Sequence, residues 1–258
     1  MVSEKLIPIR RRLDQIPVTE GEYAVFDFDN TCIYNDIGEA VLAYLCLERK
    51  LKNLFLLDEE YPSAYYYKKV FERFCDLSDR GDILGASKLA YLALVGYSRQ
   101  EIEQIVGEVL GYEGYELGEQ DIFGRKFAKG LRIRGEAKEL MDLARHRKSG
   151  LWVVTASGQV LVESMLRRWF PEYPFGCIGL TSEEEKGLLT ERLVGPLPVL
   201  ENKVTAIQAR IHSTRRPILA AGDSPNDRAM LEYAEIKVVA DRGNDLTRIA
   251  RERGWYLI

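Results

Sequence analysis

Residues 151–180 read LWVVTASGQVLVESMLRRWFPEYPFGCIGL, and the order of their apolar and amphipathic runs decides the fold. LWVVTAS has the length and composition of a buried strand, residues near 158–170 space their apolar side chains along one helical face, and FGCIGL is a second short apolar run. Strands without polar alternation, separated by a helix, form a βαβ unit whose parallel strands are covered on both faces. Downstream the alternation continues with a helix near 201–212, the run PILAAGDS, a helix near 226–234 and IKVVAD. Between FGCIGL and the helix near 201, LTSEEEKGLLTERLVGPL has an acidic turn followed by alternating residues and predicts a small hairpin.

Working upstream, LRIRGEAKELMDLARHRKSG predicts an amphipathic helix with a basic last turn, ending at Gly150. Before it lies a long stretch with helical spacing, beginning at Ile37, Val41 and Leu45 and continuing near 63–76, 83–95 and 99–110. The glycine- and acid-rich segment Gly111–Gly118 breaks that pattern, and no β-rich run is expected to interrupt it. The apolar strand at the start of the chain is YAVFDFDNT, residues 23–31, preceded by helical spacing of Leu6, Ile9 and Leu13 that Pro8 interrupts and Pro17 closes. The resulting expectation is an α/β fold: a Rossmann-like parallel-sheet core of three α/β/α layers, residues 1–33 and 133–258, with a helical cap inserted at 34–132.

Composition bounds the function. The 258 residues are 46% hydrophobic, enough for a large core in one large domain or two small ones. The 36 basic and 40 acidic residues nearly cancel, and the RRR at 10–12 is too short for a nucleic-acid arm, so no nucleic-acid partner is expected. Four cysteines without a CxxC pair read as thiols of a reducing compartment. MVSEKLIPIRRRLDQIP is too charged for a signal peptide and no apolar run reaches the length of a membrane span, so the expected location is cytoplasmic, with no membrane partner.

Asp27 and Asp29 close the first strand. Side chains two apart in an extended segment face the same way, and two carboxylates that close raise each other's pKa unless a cation such as Mg²⁺ neutralises them. One could then attack as a nucleophile while the other serves as acid and base. Taken alone, the string fits equally well a strand that ends in an Asp-Asn turn. Further polar residues fall at the ends of other core strands, where open α/β sheets gather ligands: Thr155 with Ser157, Lys203 at the start of a helix, and Asp223 and Asp227 in GDSPND. Each also has an ordinary role, Thr155 or Ser157 as a helix cap, Lys203 as a solvated helix residue, GDSPND as a turn that starts a helix.

Together, DFDNT, VVTAS, Lys203 and GDSPND in this order resemble the haloacid dehalogenase superfamily of phosphatases. The long insert after the first motif, the hairpin before Lys203 and the ending ADRGNDLTRIARERGWYLI are similar to its phosphoserine-phosphatase-like branch. The resemblance implies a Mg²⁺-dependent phosphomonoester hydrolase acting on a small phosphorylated metabolite. Asp27 would form an aspartyl phosphate, Asp29 would be general acid and base, and Thr155 and Lys203 would hold phosphoryl oxygens. Mg²⁺ would be bound by Asp27, the backbone carbonyl of Asp29 and Asp223, with Asp227 orienting Lys203 or metal-bound water. Asn30, Thr31, Asp36, Ser157 and Asn226 complete the expected substrate contacts.

Asn30 stands where many relatives have Gly or Ser. The cap stretch SKLAYLALVGYSRQEIEQIV, similar to the segment that supplies an arginine for phosphoserine's carboxylate, has none at Lys88–Tyr91. Asp36 has two readings: an acidic residue for a substrate amine, or, with Glu39, a helix cap with a reciprocal partner. YYY at 65–67 offers either an aromatic cage or a core-facing helix stripe. Three alternatives remain: a haloacid dehalogenase, for which Asp29 would have no use; an idle phospho-ligand-binding protein; and a receiver-like domain, which the length and the insert disfavour.

Overall fold

The computed structural model describes residues 3–57 and 61–258. Its strands are β1 (Tyr23–Phe26), β2 (Ile33–Tyr34), β3 (Gly118–Ile122), β4 (Arg125–Lys129), β5 (Arg132–Ile133), β6 (Gly150–Gly158), β7 (Phe175–Glu185), β8 (Leu188–Val194), β9 (Leu219–Gly222), β10 (Ile236–Val239) and β11 (Tyr256–Leu257). Its helices are α1 (Ile7–Gln15), α2 (Ile37–Leu47), α3 (Ser63–Asp79), α4 (Ile83–Leu92), α5 (Arg99–Glu113), α6 (Gly135–His146), α7 (Gln159–Trp169), α8 (Asn202–Arg210), α9 (Arg228–Tyr233) and α10 (Asp245–Arg253).

Among the described residues the main sheet has seven strands in the order β11-β10-β9-β1-β6-β7-β8. Every pair is parallel except β7 with β8. Side chains of β1 alternate between two cores. Ala24 and Phe26 join the larger one with Leu140, Met141 and Leu161, while Tyr23 and Val25 join a second one with Ile207, Met230 and Leu246. Both faces of the sheet are therefore covered by helices, which is why its inner strands are continuous apolar runs.

Pro8 lies in the first turn of α1, where its missing N–H costs nothing, rather than interrupting a helix. The expected hairpin is the pair β7 and β8, turned by Lys186 and Gly187 at φ of 52° and 79°. It reaches past the sheet to the α4–α5 loop, where Gly96 N donates to Leu189 O and Leu189 N to Tyr97 O, both at 2.9 Å.

Residues 34–132, expected to be largely helical without a β-rich run, contain one. Besides α2 to α5 they contain the antiparallel pair β3 and β4, and α5 continues through Gly111 to Glu113. Half the residues of GEQDI and RKFAK are charged and only Ile122 is buried, so their pairing leaves little hydrophobic periodicity to read. Tyr66 is buried, Tyr65 is exposed, and none of Tyr65, Tyr66 and Tyr67 lines the cavities beside Asp29 described below, so YYY forms no aromatic cage there.

Candidate active site

Strand order brings the polar strand ends together. β1 lies between β9 and β6, with Phe26 in register with Ala221 on one side and Val153 on the other. The residues just beyond, Asp27, Asp223 and Thr155, therefore emerge at one edge. Asp27 N donates to Ala221 O at 2.9 Å, continuing the ladder one step past the strand.

Lys203, at the first turn of α8, is fully buried, and its Nζ donates to Asp27 Oδ1 at 2.7 Å, Asp227 Oδ1 at 2.6 Å and the Val154 carbonyl at 2.9 Å. All three ammonium donors are thus satisfied. Burial alone would lower the Lys203 pKa, but the carboxylates of Asp227 and Asp27 outweigh it and hold the ammonium charged. Asp227 Oδ2 accepts from the N–H groups of Asp223 at 3.0 Å and Ser224 at 3.1 Å, so this side chain fixes both the lysine and the loop carrying Asp223.

Thr31 Oγ1 sits between Asp27 Oδ2, 3.2 Å away, and Asp223 Oδ1, 3.3 Å away. Arg242 Nη1 donates to Asp223 Oδ2 at 2.8 Å and Asn244 Nδ2 to the Asp223 carbonyl at 2.7 Å. Cys32 Sγ donates to the Asp27 carbonyl at 2.9 Å. Sequence reasoning assigned no role to these last three, although Arg242 and Asn244 fall within ADRGND; nothing local marks which strand end they will face.

Asp29 is held apart from the lysine. Its Oδ1 accepts from Ile37 N at 2.8 Å and its Oδ2 from Ser157 Oγ at 2.6 Å. Thr155, buried on β6, accepts from Ser157 N at 3.0 Å, which orients the serine toward Asp29. Asn30 has a φ of 58°, and its carbonyl accepts from Arg134 Nη2 at 3.2 Å. Asn226 Oδ1 accepts from Leu200 N at 2.7 Å, tying the GDSPND loop to the segment before α8. Asp36 caps α2 by accepting from Glu39 N at 2.8 Å.

The cluster has an excess of buried negative charge. Burial first, then Asp227, pushes the Asp27 pKa well above the usual carboxylate range despite Lys203. Burial, then Asp36, raises that of Asp29, and burial, then Asp227, raises Asp223 to about 6 while Arg242 pulls it down. One carboxylate oxygen from each of Asp27, Asp223 and Asp227 lies within 4.8 Å of the others. Asp227 is tied to Lys203 and two backbone N–H groups, whereas Asp27 Oδ2 and Asp223 Oδ1 meet only the Thr31 hydroxyl, so these two oxygens are the ones best placed to turn to a cation. An oxygen-only donor set with uncompensated charge fits a hard divalent ion such as Mg²⁺.

Two cavities adjoin this cluster. One of about 230 Å³ is lined by Asp36, Glu39, Phe74, Tyr91 and Ser157 among others. A smaller one of about 80 Å³ is lined by Asn30, Asp36, Glu39, Glu113, Gln120 and Arg242 among others.

A chain with this sheet order, these strand-end carboxylates and this buried lysine belongs to the family of haloacid dehalogenase-like hydrolases, whose family model matches residues 24–232. Phosphorylcholine phosphatase of Pseudomonas aeruginosa is 24% identical over 263 residues, covering 85% of this chain and 74% of that protein. Phosphoserine phosphatase SerB1 of Mycobacterium tuberculosis is 25% identical over 244 residues, covering 93% and 71%. A crystal structure of a conserved protein of unknown function from Anaerococcus prevotii superposes with a TM-score of 0.73 at 17% identity, covering 99% of this chain and 92% of that one. At that identity the likeness concerns the fold. No helix among the described residues is long and apolar enough to cross a membrane.

Proposed function

We propose that the protein is a Mg²⁺-dependent phosphomonoester hydrolase that acts on a small phosphorylated metabolite through an aspartyl phosphate at Asp27. The observation that carries this is Lys203, without solvent access and bonded at once to Asp27 and Asp227. A buried ammonium set against a carboxylate whose other oxygen meets only a threonine hydroxyl is the arrangement that phosphoryl transfer requires. The names of the relatives, phosphorylcholine phosphatase and phosphoserine phosphatase, support a phosphorylated small alcohol as substrate.

In this mechanism the Asp27 carboxylate forms a bond to phosphorus as the ester P–O bond breaks, and Asp29 gives its proton to the departing alkoxide. Burial, then the nearby Asp36 carboxylate, raises its pKa, which favours the protonated form that a general acid needs. Asp29 then takes a proton from water, whose oxygen bonds to phosphorus and releases Asp27 and inorganic phosphate. Ser157 and the Ile37 N–H hold Asp29 in place for both steps, Thr155 would serve a phosphoryl oxygen, and Lys203 would offset the phosphoryl charge, turning a donor to it as its bond to Asp27 gives way to the Asp27–phosphorus bond. Asp27, the Asp29 carbonyl and Asp223 would hold Mg²⁺, which supplies the positive charge that lets an anionic phosphoryl group approach a carboxylate. Asp227 acts through Lys203 and the Asp223 N–H as a positioning residue. Asn30, Thr31 and Asp36 complete the wall around the reacting group, Asn226 holds the loops that form it, and residues 34–132 act as the cap.

The test is phosphate release from a generic aryl phosphate. Turnover with Mg²⁺ that stops on chelation is expected. Equal turnover in excess chelator contradicts the metal assignment, and ligand binding without any turnover favours the idle binder.

A further inference from the structure

Asp27 and Asp223, the two carboxylates best placed to hold a cation, are restrained in the same way. Each has one oxygen on a positively charged side chain and the other beside Thr31. Asp27 Oδ1 accepts from Lys203 Nζ at 2.7 Å, and Asp223 Oδ2 accepts from Arg242 Nη1 at 2.8 Å. The opposite oxygens, Asp27 Oδ2 and Asp223 Oδ1, lie 3.2 and 3.3 Å from Thr31 Oγ1. Lys203 stands against the reacting carboxylate, whereas among the described residues the Arg242 guanidinium bonds only to Asp223.

The loop between β10 and α10 is built to keep that bond. Arg242 N donates to Thr247 Oγ1 at 3.2 Å, and Asn244, which caps α10 by accepting from Thr247 N at 3.1 Å, donates its Nδ2 to the Asp223 carbonyl at 2.7 Å. The loop thus grips Asp223 at its backbone and at one carboxylate oxygen. Asp223 is buried although the Arg242 side chain is 45% exposed, so the charge-assisted bond reaches in from the rim.

Holding one oxygen limits how a carboxylate meets a metal. A guanidinium against Oδ2 puts positive charge where a second metal–oxygen bond would form, which leaves Asp223 to offer Oδ1. Lys203 restricts Asp27 in the same sense. Carboxylates that give one oxygen each suit Mg²⁺, which demands a near-octahedral set and keeps several waters, whereas Ca²⁺ is larger, takes about six to eight oxygens and accepts both from one carboxylate. The charge of Arg242 opposes the two cations alike, so charge alone does not separate them; the number of oxygens released does.

We propose that Arg242 is a positioning residue that keeps Asp223 to a single metal-facing oxygen and thereby makes the site prefer Mg²⁺ to Ca²⁺. This rests on the metal site of the phosphatase reading above and adds the residue that sets its selectivity. The experiment needs no substrate. Melting temperatures of the full chain are titrated with MgCl₂ or with CaCl₂ in wild type, Arg242→Ala and Arg242→Lys, and each rise is converted to a Kd through the linkage of binding to stability.

Wild type should bind Mg²⁺ more tightly than Ca²⁺. Arg242→Ala releases Asp223 Oδ2, and the ratio of the Ca²⁺ Kd to the Mg²⁺ Kd should fall by about tenfold or more, the effect typical of groups that orient metal ligands. Arg242→Lys keeps a donor and a charge at that position and should stay nearer to wild type. Loss of a positive charge alone would tighten both cations by the same factor, so an unchanged ratio in Arg242→Ala overturns the assignment, as does a wild type that prefers Ca²⁺. Melting temperatures that respond to neither cation overturn the metal site itself, a result distinct from binding of both with an unchanged ratio.

Discussion

Lys203 shows how one side chain can set the chemistry of a whole cluster. Removing it leaves Asp27 and Asp227 buried without their cation, and breaking a buried pair in this way costs about 3–5 kcal/mol. Lys203→Met should therefore lower unfolding stability at neutral pH by that order and cut turnover by about a hundredfold or more. Denaturant unfolding and phosphate release measure the two effects. Glu39 predicts a pH dependence of opposite character. Burial, then Asp36 and Glu113, raise its pKa from 4.5 to about 8 against the pull of Arg242, so the folded chain keeps a proton that the unfolded chain has lost between those values. Its ionisation therefore costs stability as pH rises through that window, with no contribution below about 4.5 and the full penalty above about 8. Glu39→Gln should match wild type in melting temperature at pH 4 and exceed it at pH 9; a lower value at pH 9 would refute the raised pKa. The sequence marks Asp27, Asp29, Lys203, Asp223 and Asp227 because each sits at the end of an apolar run or at a helix start. Arg242 escapes it, because its role depends on a partner 19 residues away.

At the scale of elements, the close of β9 is the tightest constraint near the site. A Cβ on Gly222 would lie 2.4 Å from the Asp227 Cβ and 2.7 Å from its Cγ. Gly222→Ala should push Asp227 off Lys203 and the Asp223 N–H, and so reduce both stability and turnover although it touches no substrate. Wild-type values for both would show that the loop relaxes without moving the carboxylate. The start of α2 separates capping from recognition. Asp36→Asn keeps a good cap and should change stability little, whereas Asp36→Ala should cost about 1 kcal/mol. The buried strands and most helices are legible because their periodicity is continuous, from the apolar runs 151–157 and 175–180 to α6 and α7. The β3–β4 pair is not, since with one buried residue, Ile122, and polar or half-buried neighbours it carries little hydrophobic signal.

For the molecule as a whole, the order of strands makes the site: β9, β1 and β6 come from distant parts of the chain and deliver Asp223, Asp27 and Thr155 to one edge. The helices and the β3–β4 pair between β1 and β6 contribute Glu39, Phe74, Tyr91, Glu113 and Gln120 to the walls of the cavities beside Asp29. The β7–β8 hairpin ties this stretch back to the sheet through Leu189 and through Arg99 Nε to Glu184 Oε1 at 2.7 Å. Small esters should therefore be turned over in preference to a phosphoprotein, which a comparison of kcat/KM would show. The central claim is covalent attack by Asp27, and its most direct test is to quench the enzyme during turnover of an aryl phosphate with Mg²⁺ and locate any transferred phosphoryl group by peptide mass mapping. A phosphoryl group on Asp27, absent in Asp27→Asn along with turnover, is the expected result. Undiminished turnover in Asp27→Asn, or a phosphoryl group on another residue, would contradict the account.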